Sequence, residues 1–181
     1  MNNPAQERKD VLETLEGAKS LLEKNLHAEL VPPEGVSFGY AMRGARDAGG
    51  IAAAGERIRP SAEGSAPVKG TCAFGCDEEI ARVILTAMKF DPRVRSAAIL
   101  RLSARAKTVL CDDLFLESAS CANSAQPGTG TMDWGIASCC KRGIPDVIFY
   151  RDGDTALARI LIFGEDPADV ANNIIMCSNR I

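Results

Sequence analysis

The chain lacks most of the residues that would announce a familiar chemistry. It has a single histidine, His27, among 181 residues, so any mechanism that needs two histidines is excluded. No G-x-S-x-G elbow, Walker loop or G-x-G-x-x-G follows a strand-like stretch, which leaves hydrolase, P-loop and dinucleotide-binding readings without support. No apolar run approaches the roughly 20 residues of a membrane helix, and the opening MNNPAQERKD has no signal-peptide core. A cytoplasmic protein with no membrane partner is expected. The chain also lacks a basic tract: 21 basic residues are spread along its length and the net charge is −3. Counterion release therefore gives it no pull toward nucleic acid.

Cysteine is the exception to this poverty. Seven cysteines cannot all pair within one chain, and cytosolic thiols are normally reduced, so free thiols or metal ligands are expected rather than a disulfide framework. Cys72 with Cys76 and Cys139 with Cys140 could supply four thiolates to zinc or an iron-sulfur cluster. Their spacing lacks the usual C-x₂-C, and buried, inert thiols are the preferred reading.

A hydrophobic content of 46% is enough for one sizeable core, and a single domain over 1–181 is expected, with residues 1–30 as an N-terminal helix packing on it. Pro4 behind Asn3, then Val11, Leu12, Leu15, Ala18, Leu21, Leu22 and Leu26 at helical spacing, predict an amphipathic helix that stops before Pro32-Pro33. Strand-like pieces fall at Val36–Met42, around Ile58 and over 66–74. Asp77 reads as the N-cap of a helix whose buried face is Ile80, Val83, Ile84, Ala87 and Met88. RSAAILRLS reads as a strand, 103–107 as a short helix and TVLC as another strand. A short helix from Thr131 to Gly143 follows, then a hairpin of DVIFY and ALARILIF, and a last helix with Pro167 in its first turn. Helices interspersed with paired strands imply a mixed sheet covered by helices.

Several stretches go further when taken together: ELVPPEG, YAMRGARDAGGIAAAGERI, IARVILTAMKFDPRVRSAAILRLS, GTMDWG, GIPDVIFYRDG and FGEDPADVANNI. In this order and spacing they resemble the archaeal thiamine-phosphate synthase domain of the ThiN type. The resemblance implies a three-layer α/β/α fold of the class II aldolase/epimerase kind, with a mixed, mostly antiparallel sheet, and a homodimer. It also implies joining an aminopyrimidine diphosphate to a thiazole phosphate with release of pyrophosphate, or, where the domain is fused to DNA-binding regulators, sensing of thiamine phosphates. That chemistry calls for positive groups or Mg²⁺ to take up charge on the leaving oxygens.

Here the chain departs from its relatives. Where the family carries an Arg-His pair at a helix start, this chain has Glu78 and Glu79. Where the family has Asn in the next strand it has Ile99, and where the family has Gly-Lys-Glu-Pro it has Thr155, Ala156, Leu157 and Ala158. Arg57, Arg95 and Arg101 match basic positions of the pattern, and Asp146 beside Pro145 matches as well. Asp77, Glu78 and Glu79 admit two readings. Preferred is that they cap a helix that no longer grips phosphate, each acid contributing about 0.3–1 kcal/mol through the helix dipole. The alternative is that they hold Mg²⁺, the one cofactor expected, for a pyrophosphate.

Arg43, Arg46, Arg57 and Arg59 lie in a glycine-rich segment where backbone can approach a ligand closely, and guanidinium forks suit phosphate oxygens. Solvated surface arginines are the competing reading. His27 reads as a cap, and Trp134 as either core or a stacking surface. The expected function is binding of a phosphorylated, thiamine-related small molecule, with synthase activity in doubt. A non-catalytic sensor or interaction protein is the alternative, and a cysteine-ligated metal protein the third.

Overall fold

Asn3 begins the first helix: its side-chain oxygen accepts the Ala5 amide at 3.1 Å, and Pro4 fills the first helical position. This helix, α1 (Pro4–Asn25), belongs to a computed structural model that describes residues 3–62, 71–122, 133–151 and 158–181. Its buried stripe is Val11, Leu15, Ala18 and Leu22, while Leu21, expected on the same stripe, is half exposed. Lys19 is buried on that face and is tolerable there because Glu23, one turn on, lies 3.1 Å from its ammonium. The helix ends at Asn25, ahead of the proline pair, because Leu26 turns to extended backbone. His27 is a cap, as expected, but of the 3₁₀ turn Ala28–Leu30 that follows: its Nδ1 accepts the Glu29 amide at 3.1 Å.

Seven strands form the sheet: β1 (Ser37–Ala41), β2 (Ile51–Ala54), β3 (Cys72–Phe74), β4 (Ser96–Arg101), β5 (Ser118–Ala122), β6 (Val147–Arg151) and β7 (Arg159–Gly164). Their order is β3-β2-β1-β4-β7-β6-β5, and every pairing is antiparallel except β5 with β6. The mixed, mostly antiparallel sheet between helical layers is as expected. On one face α1 and α5 (Pro167–Ser178) cover Phe38, Leu100, Ile160 and Ile162; on the other α2 (Glu78–Phe90) and α4 (Trp134–Cys139) cover Ile99, Ile148 and Leu161. Strand alternation sorts β4 in this way: Ala98 and Leu100 face α1 and α5, Ala97 and Ile99 face α2.

Two expected strands fell elsewhere. TVLC is helical, with residues 108–111 continuing α3 (Ala104–Thr108) into a wider turn, so that Val109 and Leu110 are buried beside Ala106. A short apolar run fits a buried helix as well as a strand. Ile58 makes only an isolated bridge to Val36, and the strand lies instead over the alanine-rich Ile51–Ala54. Of this strand, Ile51 and Ala53 face α2, which lies close to the sheet: a Cβ at Gly39, the partner of Ala53, would sit 3.0 Å from Ile84 Cδ1 and 3.2 Å from the Ala52 oxygen. The 66–74 strand is present over Cys72–Phe74, and the rest of that span lies outside the described residues, as do residues 131–132 of the expected GTMDWG helix start. That helix begins at Trp134, capped by Asp133.

The three acids ahead of α2 do separate work. Asp77 is the N-cap, its Oδ1 accepting the Glu79 amide at 3.1 Å and the Ile80 amide at 3.2 Å, whereas Glu78 is exposed. Asp77→Ala should cost about 0.5–2 kcal/mol and Glu78→Ala almost nothing, read as the difference in urea midpoints. In α1, Leu15→Ala should cost about 2–5 kcal/mol by the same measurement, because it empties a fully buried site.

Candidate functional site

At the end of the sheet where β4 terminates, three side chains stand in a row on the α2 face. Arg101, Arg159 and Tyr150 are register partners across β4, β7 and β6. One row deeper, Ile99 and Leu161 are paired across the same strands. They floor a cleft of about 240 Å³ whose walls are Glu79, Arg82 and Val83 of α2 and Asp133 and Ile136 at the start of α4. Asp133 is held in place by its own helix, accepting the Gly135 and Ile136 amides at 3.0 and 3.2 Å, and its amide donates to Thr86 Oγ1 of α2 at 3.1 Å. The cleft is thus apolar below and charged around its walls.

The charges are not independent. Arg159 is ion-paired with Glu34, in the turn before β1. Burial alone would raise the Glu34 pKa, but a backbone hydrogen bond, Arg159 and the nearby Arg57 together hold it below its ordinary value. Arg57 in turn donates to Glu79 at 3.1 Å and lies 3.9 Å from Asp77. The result is an alternating chain, Arg159, Glu34, Arg57, then Glu79 with Asp77, whose two ends line or border the cleft. Among the described residues, Arg57 Nη1 is buried without a hydrogen-bond partner.

The arginines expected to bind phosphate are divided by this fold. Arg57 and Arg101 each adjoin a residue that lines the cleft, Arg57 through its hydrogen bond to Glu79 and Arg101 as the register partner of Arg159. Arg43 and Arg95 meet in a separate cleft of about 280 Å³ against α1, where the Arg43 amide and the Arg95 guanidinium share Glu7 Oε1 at 2.7 and 3.8 Å. Arg95 also donates twice to the Ala41 oxygen, at 3.0 and 2.7 Å, and lies over the Tyr40 ring. Arg95 and Arg101 flank opposite ends of β4, roughly 20 Å apart at the rise of a strand, too far for one small ligand. Arg46 is exposed in the turn after β1, and Arg59 donates to the Pro33 oxygen at 2.6 Å. Asp146 lines a third cleft with Glu165 and Asp169, and one of its carboxylate oxygens accepts the Glu117 amide at 2.9 Å, tying the start of β5 to β6.

Among the described residues, no three His, Cys, Asp or Glu side chains converge in an arrangement that could hold a metal ion. Asp77 and Glu79 are turned to amides and to Arg57, so no Mg²⁺-dependent step is derived from them. The four singled-out cysteines stand as two separate groups, Cys72 near Cys76, and Cys139 and Cys140 near Cys121. All seven are free thiols. Burial pushes Cys72 and Cys121 up to about 12 and Cys140 and Cys177 up to about 11, with Glu16 adding to the effect at Cys72, Cys139 at Cys121 and Cys140, and Glu29 at Cys177. Such thiols are poor nucleophiles at neutral pH. Trp134 is 63% exposed on the first turn of α4, so it is not core.

Sequence reading missed Arg82, Arg159, Tyr150, Asp133 and Glu34. A signal existed for two of them: once DVIFY and ALARILIF are taken as a hairpin, alternation places Tyr150 and Arg159 on one face with Ile148 and Leu161. Nothing local marks Glu34 or Arg82.

The family model for thiamine-phosphate synthase ThiN matches residues 14–176. The bifunctional thiamine biosynthesis protein ThiDN of Methanocaldococcus jannaschii is 29% identical over 176 residues, which is 96% of this chain and 42% of that protein. The chain therefore spans less than half the length of that relative. Among solved structures, the C-terminal domain of phosphomethylpyrimidine kinase superposes with a TM-score of 0.80 at 27% identity, covering 94% of this chain and 99% of the other. The l-fuculose-1-phosphate aldolase of Thermus thermophilus shares the fold alone, with a TM-score of 0.54 at 11% identity over 96% and 91% of the two chains. No helix among the described residues is long and apolar enough to cross a membrane. The family match runs through both helical layers and all the strands that build the cleft, and the chain belongs to the thiamine-phosphate synthase ThiN family.

Proposed function

We propose that the cleft between α2, α4 and the sheet binds a phosphorylated, thiamine-related metabolite, and that the chain has little synthase activity. The observation that carries the binding is the pair Arg101 and Arg159, directly opposite each other across β4 and β7 beside Tyr150. Like charges facing each other across a ladder are destabilising. Glu34 offsets one of them; a phosphoryl group at the cleft mouth would offset the other and accept two-point hydrogen bonds from either guanidinium. Tyr150, Ile99 and Leu161 give a heterocycle an apolar seat, and Glu79 and Asp133 face its amino or cationic atoms from opposite walls. The volume, about 240 Å³, lies just below the usual small-molecule range of roughly 300–1,000 Å³, which suits one ligand of this kind better than two substrates together.

The same geometry argues against efficient condensation. Releasing pyrophosphate from a pyrimidine that becomes cation-like requires preorganised positive charge at the leaving oxygens. Arg57 is already engaged by Glu79 and Asp77, the charge of Arg159 is offset by Glu34, and the start of α2 presents acids rather than cations. This supports a domain that retains recognition with turnover diminished, as a sensor would.

Thiamine monophosphate should raise the melting temperature of the protein in a concentration-dependent manner. Arg101→Ala, which among the described residues breaks no salt bridge, should weaken that ligand by about 10–100-fold, the worth of a charged hydrogen bond. An unchanged affinity would remove Arg101 from the site. With both phosphorylated precursors supplied, thiamine phosphate should not accumulate beyond a few turnovers, and sustained multiple turnover would restore the enzyme reading.

A further inference from the structure

Taking the cleft as the ligand site proposed above, we infer that it excludes polyanions: its ligand is a heterocyclic cation or zwitterion bearing no more than one phosphoryl group, and Glu79 is the residue that sets this limit. The inference comes from the charge balance of the site itself. The four charged side chains that line the cleft are Glu79, Arg82, Asp133 and Arg159, two of each sign. Behind them stand Arg57, Glu34 and Asp77, a guanidinium outnumbered by carboxylates. The site and its backing together therefore carry no excess of positive charge.

A zwitterion matches that balance and a diphosphate does not. The phosphoryl end of a zwitterion lies against Arg101 and Arg159, and its cationic ring lies between Glu79 on α2 and Asp133 on α4. A diphosphate ester brings further negative charge into the same small volume. The guanidiniums left to neutralise it are Arg82, one turn on from Glu79 in α2, and Arg57, which is held by Glu79 at 3.1 Å with Asp77 behind it at 3.9 Å. Glu79 therefore opposes a polyanion twice, by occupying the Arg57 guanidinium and by repelling the ligand directly. Such arrangements set specificity through the penalty imposed on the wrong ligand more than through contacts to the right one. Asp77 does not take over this role, because it does not line the cleft and lies farther from Arg57, 3.9 Å against 3.1 Å for Glu79.

Isothermal titration of the full chain in metal-free buffer with thiamine, thiamine monophosphate, thiamine diphosphate and inorganic pyrophosphate tests the inference. Thiamine monophosphate should bind about tenfold or more tightly than thiamine diphosphate, and pyrophosphate should not displace it. In Glu79→Gln the diphosphate should gain about tenfold, closing the gap, while the monophosphate changes by less than about threefold. Glu79→Lys should carry the preference further toward the diphosphate. Glu79 is exposed in the first turn of α2, and melting curves of both variants report whether the fold is kept. A wild-type protein that binds the diphosphate as tightly as the monophosphate, or a ratio that neither substitution moves, overturns the inference while leaving the ligand reading in place. Failure of every thiamine compound to bind overturns the ligand reading and the inference with it.

Discussion

The Arg57 guanidinium is the fixed point around which the functional half of the domain is arranged. Its side chain is about 29% exposed, so most of its water has been replaced by protein groups. A cation in that position must be partnered or its desolvation goes uncompensated. Glu79 and Asp77 supply partners from α2, and Glu34 adds its field from the turn before β1. The backbone is shaped to allow this. Gly35 has φ +93°, and a Cβ there would lie 2.7 Å from the Arg57 Cβ, so only glycine lets Arg57 pass beside that turn. The Val36–Ile58 bridge then pins the two segments together next to Gly35 and Arg57.

The charge chain and the sheet depend on each other. Arg159 is positioned by the β4–β7 ladder, one of whose register pairs is Arg101 with Arg159, and it orients Glu34, which in turn sits by Arg57. On the other side, α2 lies close over β1 at Gly39, whose partner Ala53 in β2 faces the same helix. That close approach brings Glu79, at the first turn of the helix, within reach of Arg57. A larger residue at Gly39 would lift the helix and stretch the ion pair at the same time. Packing between layers and electrostatics at the cleft are therefore one constraint seen from two sides.

How much of this is legible in the sequence follows from which interactions are local. The helices α1, α2 and α5 announce themselves through Asn3-Pro4, Asp77 and Pro167 together with an apolar stripe, because capping and periodicity act within a few residues. The β6–β7 hairpin is readable for the same reason. β2 and β5 are not: IAAA and SASCA have little intrinsic preference for extended backbone and become strands because their neighbours pair with them. TVLC fails in the opposite direction, being apolar enough for a strand but buried on a helical turn. At the site, Arg57 and Arg101 stand out as charges among apolar or glycine-rich neighbours. The division of Arg43 and Arg95 from them is set by strand order, and the pairing of Arg159 with Glu34 spans most of the chain. Neither leaves a trace in any short stretch.

The three acids before α2 show how one local motif serves two ends. As a cap, Asp77 would do its work on any scaffold, since the amides it accepts belong to its own helix. Glu79 gains meaning only from the fold, which sets Arg57 against it. Catalysis of a diphosphate departure requires positive charge that is preorganised and unspent, whereas recognition of a ligand carrying both signs requires charge that is balanced. A scaffold can pass from the first condition to the second by adding carboxylates beside existing arginines, with no change in strand order or core. The fold is thus compatible with either role, and on the reading proposed above it is the balance of charge around Arg57 and Arg159 that separates them.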